Sequence, residues 1–261
     1  MKGSLPMKIR DSVAFITGAN RGIGLAFAQE LLAGGARKVY AAARDPKSVT
    51  LEGVHPVRLD VTNAETISAA ASKYTDVNLL INNAGIALWT GFLAPNSLEA
   101  ARAEMETNYF GPLRLGRAFA PILAKNGGGA IVNILSIVSW VAVPSAGTYS
   151  ASKAAAWALT NWLRTGLPEQ GTQVVGVHAG PVDTDMAKDL TLPKVRPVDV
   201  VRQTLSALEA GRDEVLADDM ARQVKAGLSN DEGIYLNFDP ERSLSGGQAS
   251  ALAKNDPLLL V

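Results

Sequence analysis

The sequence predicts a single α/β domain built on a parallel β-sheet with helices packed on both faces. Short runs of valine, isoleucine, leucine and alanine alternate along most of the chain with longer segments of helical periodicity. Such apolar runs are typical of parallel strands that are buried on both sides. The length of 261 residues, 47% of them hydrophobic, suits one domain with a large core.

The first half of the chain contains four predicted strands and two predicted helices. A strand at residues 12–17 is an apolar run that stops at a glycine, and the helix at 22–32 has apolar residues at helical spacing before two glycines end it. Three further apolar runs predict strands at 38–43, 54–59 and 77–82. The second helix is predicted at 63–74 and opens with Asn63 and Thr66, which occupy capping positions.

The second half continues the alternation. Glycines at 127–129 end one predicted helix and precede a strand, so we interpret them as a chain turn without a ligand. The predicted helices are 97–125, 149–167 and 197–209, and the predicted strands are 130–135, 173–178 and 214–217. Sheets of this kind bind ligands at the carboxyl ends of their strands.

The chain ends are expected to lie outside the domain, which we assign to residues 11–243. Residues 1–10 read as a leader, and because Met7 offers a second start, 1–6 could derive from cloning. Residues 244–261 lack periodicity and read as a tail.

Composition excludes several classes of function. Basic and acidic side chains balance at 25 each, which gives no electrostatic reason to expect nucleic acid or a membrane as a partner. The chain has no cysteine, and His55 and His178 are too far apart for a short metal motif, so we expect no metal. No apolar stretch has the length of a signal peptide or membrane span, which favours a soluble, cytoplasmic protein.

Tyr149 and Lys153 stand four residues apart in a predicted helix and therefore share one face. An ammonium about 4 Å from a phenol favours the phenolate by up to ~4 kcal/mol at an effective dielectric of ~20. Such a tyrosine can serve as a general acid or base. By itself the pair is a weak signal, because surface helices also carry tyrosine and lysine at this spacing.

A glycine-rich turn joins the first strand to the first helix at residues 17–24. Glycines there let the backbone approach a pyrophosphate, which the helix N-terminus then holds. The spacing G-x-x-x-G-x-G departs from the usual dinucleotide fingerprint, and other turns show similar glycines.

Taken together, the motifs resemble the short-chain dehydrogenase/reductase family from about residue 11 to residue 218. The resemblance rests on the glycine turn, Asn82-Asn83-Ala84-Gly85, Asn108, Ser136 thirteen residues before Tyr149, Tyr149-x-x-x-Lys153, and Gly180-Pro181-x-x-Thr184. It implies a single-domain, Rossmann-like, doubly wound sheet that binds a nicotinamide cofactor.

The same resemblance implies roles for four catalytic residues. Tyr149 would protonate a substrate carbonyl oxygen, and Ser136 would hydrogen-bond that oxygen, although Ser139 is a neighbouring alternative. Lys153 would lower the Tyr149 pKa and hold the nicotinamide ribose. Asn108 would anchor a water next to Lys153, or else bond its own helix backbone.

Charge at the end of the second strand favours NADP(H). An NAD site needs a carboxylate there, whereas this strand ends at Arg44, which with Arg21 could meet a 2′-phosphate. The alternative is NAD(H), with Asp45 reaching the ribose. Together with the family resemblance, which implies the contacts beyond the glycine turn and the two arginines, the full set of expected cofactor contacts is Gly18, Asn20, Arg21, Gly22, Ile23, Arg44, Asp60, Val61, Asn83, Ala84, Gly85, Tyr149, Lys153, Pro181, Val182 and Thr184.

The loops expected to surround the substrate are mostly apolar. No basic cluster stands beside Ser136, which favours a neutral, hydrophobic ketone or aldehyde. Residues 185–196 could form a lid. The predicted pocket residues are Trp89, Ile137, Trp140, Val143 and Met186.

The leading hypothesis is an NADP(H)-dependent carbonyl reductase that also runs in reverse as an alcohol dehydrogenase. A nucleotide-binding regulatory protein of the same fold, and an epimerase or dehydratase using the same Tyr-Lys pair, remain alternatives. Aromatic residues on two long helices, Phe110, Trp157 and Trp162, favour a homodimer or homotetramer.

Overall fold

A computed structural model of the chain describes residues 6–240. Seven parallel strands form one sheet in the order β3-β2-β1-β4-β5-β6-β7. The strands are β1 (Val13–Thr17), β2 (Lys38–Ala43), β3 (His55–Arg58), β4 (Leu79–Asn82), β5 (Ala130–Ile134), β6 (Gln173–His178) and β7 (Glu214–Leu216). The strand order reverses between β1 and β4, and a crevice opens at such a point above the strand ends.

The helices cover both faces of the sheet. They are α1 (Gly22–Ala33), α2 (Ala64–Lys73), α3 (Ser97–Met105), α4 (Gly111–Lys125), α5 (Gly147–Gly166), α6 (Pro197–Glu209) and α7 (Asp219–Gly227). One core layer joins the sheet to α1 and α6 through residues such as Phe27 and Leu208, and the other joins it to α2, α4 and α5 through residues such as Phe119 and Leu163. The predicted doubly wound α/β fold is confirmed.

The predicted helix 97–125 is interrupted. A π-helical segment at Glu106–Phe110 separates α3 from α4. A π turn inserts an extra residue into the helical ladder and often accompanies a functional site. Periodicity over a long amphipathic segment does not reveal such an insertion, so the sequence predicted one continuous helix.

The chain turn at residues 127–129 has the expected role. All three glycines have positive φ, and a Cβ added at Gly129 would lie 2.0 Å from the carbonyl oxygen of Asn78. Only glycine can follow this path, and no nucleotide is needed to explain it.

Two parts of the sequence interpretation change at the ends of the domain. Met7 and Ile9 are buried in the core beside α1, although residues 1–10 were expected to precede the fold. Helix α7 was not predicted; it begins where Asp218 accepts a hydrogen bond from the amide of Ala221 (2.7 Å). The proposed tail at 244–261 lies outside the described residues.

Within residues 6–240, none of the helices combines the length and the apolar character that crossing a membrane requires.

Candidate active site

A cleft of about 1690 Å³ runs along the carboxyl ends of the strands. Pockets for one small molecule commonly measure ~300–1,000 Å³, so this cleft has room for a dinucleotide and a substrate together. The glycine turn after β1 lines one part of it, and Ser136, Tyr149 and Lys153 line another.

Helix α5 brings Tyr149 and Lys153 to the cleft from consecutive turns. The two side chains are only 8% and 5% exposed. The Nζ atom of Lys153 lies 5.7 Å from the centre of the Tyr149 ring and donates a hydrogen bond to the carbonyl oxygen of Ile134 (2.8 Å). The phenol and the ammonium therefore occupy one small, largely desolvated region.

Ser136 follows β5 and opens a short 3₁₀ turn, where its hydroxyl accepts a hydrogen bond from the amide of Val138 (3.3 Å). Ser139, the alternative, turns inward, is 4% exposed, and accepts from the amide of Ser136 (3.3 Å). Ser136 lines the cleft and Ser139 does not. The two serines thus form a reciprocal cap in which only Ser136 faces the site.

The pKa of Tyr149 does not follow the expectation from the sequence. Burial raises the pKa of Tyr149 well above its usual value, the carboxylate of Glu104 raises it further, and a hydrogen bond with Ser136 opposes both. Burial also lowers the pKa of Lys153 to about 8. The predicted depression of the Tyr149 pKa is therefore wrong for the protein alone, because removal of the phenolate from water is the largest cause of the shift and Lys153 is not among the groups that oppose it.

Asn108 lies in the π-helical segment and is 2% exposed. Its side chain accepts from the amide of Ile86 (2.9 Å) and donates to the carbonyl oxygen of Ile86 (2.8 Å) and to the hydroxyl of Ser152 (2.9 Å). Its amide joins the loop after β4 to the Tyr149 helix and makes no bond to its own helix backbone. The water-anchoring role stays a prediction.

The glycine turn is clamped to the end of β4. The side-chain amide of Asn83 donates to the carbonyl oxygens of Thr17 (2.9 Å) and Gly18 (3.1 Å), and the hydroxyl of Thr17 accepts from the amides of Asn83 and Ala84 (both 3.0 Å). No side chain caps the N-terminus of α1, and Gly22 and Ile23 line the cleft. Uncapped amides at a helix N-terminus fit a pyrophosphate.

The far end of the cleft is lined by charged side chains that include Arg44, Asp45 and Asp60. Arg44 is exposed there, while the carboxylate of Asp45 caps its own 3₁₀ turn by accepting from the amide of Lys47 (3.0 Å). Arg21 pairs with Asp185 across the cleft (3.0 Å). Hydrogen bonds from Thr62, with the charge of Arg44, hold the pKa of Asp60 below its usual value.

Every predicted cofactor contact lines this cleft, so the residues present fit a dinucleotide. The lining includes Gly18, Asn20, Arg21, Gly22, Ile23, Arg44, Asp60, Val61, Asn83, Ala84, Gly85, Tyr149, Lys153, Pro181, Val182 and Thr184.

The short chain dehydrogenase family matches the chain over residues 12–194. The protein belongs to the short-chain dehydrogenase/reductase family. The dehydrogenase/reductase SDR family member 7B of Bos taurus is 32% identical over 246 residues, which cover 81% of this chain and 75% of that protein. The Xenopus tropicalis member is 32% identical over 69% of this chain, and the matched part spans 63% of its length.

Solved structures agree with this assignment. A short chain dehydrogenase from Burkholderia cenocepacia in complex with NADP is 45% identical, has a TM-score of 0.83, and is matched over 87% of this chain and 96% of its own. A short chain dehydrogenase/reductase from Burkholderia phymatum in complex with NAD is 26% identical, with a TM-score of 0.75 and coverage of 85% and 95%. The chain thus shares its family and its fold with these two structures, and the lining of its cleft fits a dinucleotide.

Four of the five predicted pocket residues of this family member line the cleft, namely Trp89, Ile137, Val143 and Met186. Trp140 does not. Its ring stacks on the buried ring of His178 at 3.7 Å and meets Trp157 edge-on at 6.3 Å. The prediction for Trp140 is wrong because a large aromatic ring next to the site finds apolar partners behind the loop.

The sequence interpretation missed Glu104, whose carboxylate acts on Tyr149 and is fully buried in α3. The signal available was its position four residues before Asn108, which places both side chains on one helix face. A glutamate in an amphipathic helix normally faces solvent, so composition alone could not single it out.

Proposed function

We propose that this family member is an NADP(H)-dependent carbonyl reductase that acts on neutral, hydrophobic ketones or aldehydes and oxidises the corresponding alcohols in reverse. The observation that carries the proposal is the juxtaposition of Ser136 and Tyr149 with Lys153 in the cleft that the glycine turn also lines. A substrate carbonyl there meets two hydroxyl groups within reach of the cofactor site.

The residues supply what carbonyl reduction requires. The nicotinamide, when bound, provides the hydride. Negative charge then develops on the carbonyl oxygen, where the hydroxyls of Ser136 and Tyr149 stabilise it and Tyr149 donates its proton. The raised pKa keeps Tyr149 protonated at neutral pH, which suits a proton donor. Lys153, with its pKa of about 8, adds positive charge beside the phenol.

The preference for NADP(H) rests on charge at the ribose end. Asp45, the carboxylate next to Arg44 in the chain, is engaged as a cap, and a guanidinium can bind a 2′-phosphate with two hydrogen bonds. The structure of the Burkholderia cenocepacia relative is a complex with NADP, which supports the same choice.

The preference for a neutral substrate rests on the cations of the cleft. Among the described residues that line it, the basic side chains are Arg21, Arg44 and Lys153, which serve the nucleotide and the phenol. Within residues 6–240, the lining of the cleft holds no further cation that could bind a carboxylate or phosphate beside Ser136. Around the substrate position lie Trp89, Ile137, Val143 and Met186.

Oxidation of NADPH in a screen of aryl and alkyl ketones, followed by absorbance, tests the proposal, with chiral analysis of the products. Tyr149→Phe removes the proton donor and keeps the ring, so we expect a loss of activity of at least ~100-fold. Ketone reduction by Tyr149→Phe at the parent rate would refute the assignment of Tyr149. No turnover by the parent with any ketone would favour the regulatory alternative.

We also propose a homo-oligomer. Phe110 and Trp162 on the α4 and α5 side are 38% and 61% exposed, and exposed aromatic side chains of this kind are typical of interfaces. Light scattering coupled to size exclusion tests it, and a monomer would remove the proposal.

A further inference from the structure

A buried carboxylate stands beside the proposed proton donor and has no role in the mechanism above. Glu104, in the last turn of α3, is 0% exposed. One oxygen of its carboxylate accepts a hydrogen bond from the amide of Leu88 (2.7 Å), and the other makes no hydrogen bond within residues 6–240. Burial of a carboxylate is costly, so a glutamate kept in this position calls for a physical reason.

Both Glu104 and Asn108 hold the segment of the loop after β4 that runs from Ile86 to Leu88. Asn108, four residues later, binds the amide and the carbonyl oxygen of Ile86, and Glu104 binds the amide of Leu88. Residues four apart on a helix lie one above the other, and residues two apart in an extended segment face the same way. The helix therefore acts as the hydrogen-bonding partner of the segment from Ile86 to Leu88.

The chain turns sharply immediately after this anchor. Trp89 has φ of +49°, a left-handed conformation that costs energy in a residue with a bulky side chain. The hydroxyl of Thr90 donates back to the carbonyl oxygen of Leu88 (3.2 Å) and closes the turn. The indole of Trp89 then lies 5.9 Å from the ring of Tyr149, tilted by 48°, and forms a wall of the cleft.

We propose that Glu104 is a positioning residue that fixes Trp89 against Tyr149 and so sets the size of the carbonyl substrate that fits beside the phenol. The inference rests on the proposed function for its substrate. Its structural part, the anchoring of Trp89, stands on the hydrogen bond to Leu88 and the strained turn alone.

Besides its hydrogen bond to Leu88, Glu104 acts on the pKa of Tyr149 through its charge, an effect that an uncharged side chain of the same size would not have. The titratable groups beside Tyr149 are Glu104 from α3 and Lys153 from α5. A carboxylate near a phenol disfavours the phenolate. Replacement of Glu104 by a neutral group lowers the pKa of Tyr149. An absorbance titration at alkaline pH, with Tyr149→Phe as the blank, measures this change as phenolate that forms at a lower pH than in the parent.

Two variants separate the hydrogen bond from the charge. In Glu104→Gln the amide oxygen still accepts from Leu88, whereas Glu104→Met fills the same space and accepts nothing. Glu99→Gln, an exposed change of the same charge on the same helix, is the matched control. Each variant is first checked for folding by thermal denaturation.

Kinetics with a bulky aryl ketone and a small alkyl ketone give the first readout. We expect Glu104→Met to raise KM for the aryl ketone about tenfold relative to the alkyl ketone, which is the effect of losing one hydrogen bond to a charged acceptor. Glu104→Gln keeps the ratio of the two substrates within about twofold and lowers the pH at which the Tyr149 phenolate forms. Glu99→Gln changes neither quantity.

Fluorine NMR of the protein labelled with fluorotryptophan gives a readout that needs no turnover. The chain has four tryptophans, and Trp89→Phe assigns the resonance of Trp89. We expect that resonance to shift or broaden in Glu104→Met and to stay in place in Glu104→Gln. If Glu104→Met fails to fold, Thr90→Val loosens the same turn from its other side and is expected to move the same resonance.

Each outcome decides one proposal. The positioning role of Glu104 is refuted if Glu104→Met leaves both the Trp89 resonance and the ratio of KM values for the two ketones unchanged. It is also refuted if Glu104→Gln and Glu104→Met have equal effects. If the parent protein reduces no ketone, the proposed function fails, yet the NMR comparison still decides whether Glu104 anchors Trp89.

Discussion

The close approach of the glycine turn to α1 makes a steric prediction. Gly24 lies where α1 begins to pack against the turn after β1, and a Cβ added to it would lie 2.2 Å from the carbonyl oxygen of Gly18 and 2.6 Å from the side-chain nitrogen of Asn83. The first neighbour is backbone and cannot rotate away. Gly24→Ala must therefore push the turn and the helix apart.

The size of the effect follows from these distances. The Cβ and the oxygen must separate by about 1.2 Å, the difference between 2.2 Å and an ordinary contact of 3.4 Å. Overpacking of this kind costs about 1–3 kcal/mol. If the turn must regain its parent geometry to hold the pyrophosphate, this strain opposes binding, and about 1–3 kcal/mol corresponds to a rise of about 5- to 150-fold in the Kd for NADPH. The same strain lowers Tm by several degrees.

A titration of NADPH fluorescence and a thermal melt measure both effects. Gly116→Ala is the matched control, because it is also a helical glycine but its Cβ would meet Leu163 at an ordinary 3.7 Å. That variant is expected to gain about 0.5–1 kcal/mol from the better helix propensity of alanine and to bind NADPH as the parent does. If Gly24→Ala binds NADPH with the parent affinity, the steric argument for this turn is refuted.

Three further predictions concern charge. Arg44→Asp is expected to lower kcat/KM with NADPH at least tenfold and to leave kcat/KM with NADH unchanged, which steady-state kinetics measures. A parent protein that does not prefer NADPH over NADH would contradict the role of Arg44. Because burial lowers the pKa of Lys153 to about 8, its charge is lost as pH rises through that value, and kcat/KM for ketone reduction should fall there; a flat profile would count against it. Burial lowers the pKa of His178 to about 3, so the folded protein keeps this side chain neutral where the unfolded chain would protonate it. The free energy of unfolding is therefore at its full value above the ordinary pKa of 6.5 and falls on acidification, by about 2 kcal/mol at a pH of about 5. Urea unfolding should show this pH dependence in the parent and not in His178→Asn, and the same pH dependence in both would contradict the prediction.

Local patterns were enough for most of the fold. Continuous apolar strands and helices with apolar residues three or four apart depend on nearest neighbours in the chain, and α6 was placed at its observed bounds, Pro197–Glu209. The π-helical segment at Glu106–Phe110 escaped because one inserted residue barely alters the periodicity of a helix. Helix α7 was not predicted from the sequence. Its apolar residues Met220, Ala221 and Val224 pack against Ile137 and Val141, which lie far away in the chain.

Some features of the candidate site were predicted from the sequence, and others became evident only in the structure. The cleft gathers the glycine turn, Ser136, Tyr149 and Lys153 from positions that motif spacing had already marked. The position of Trp140 and the direction of the Tyr149 pKa shift depend on burial and on Glu104, which is far from Tyr149 in the chain. Motif spacing predicts which side chains lie close together, but it does not predict how far folding removes them from water.

The sequence alone determined the succession of strands and helices along the chain, the family, and the identity of the phenol, the ammonium and the glycine turn, because each depends on local patterns and motif spacing. The order of the strands within the sheet came from the structure. Tertiary packing decided the protonation of Tyr149, the removal of Trp140 from the pocket and the anchoring of Trp89 by Glu104. Those properties arise from desolvation and from contacts between residues far apart in sequence, which have no signature until the chain is folded.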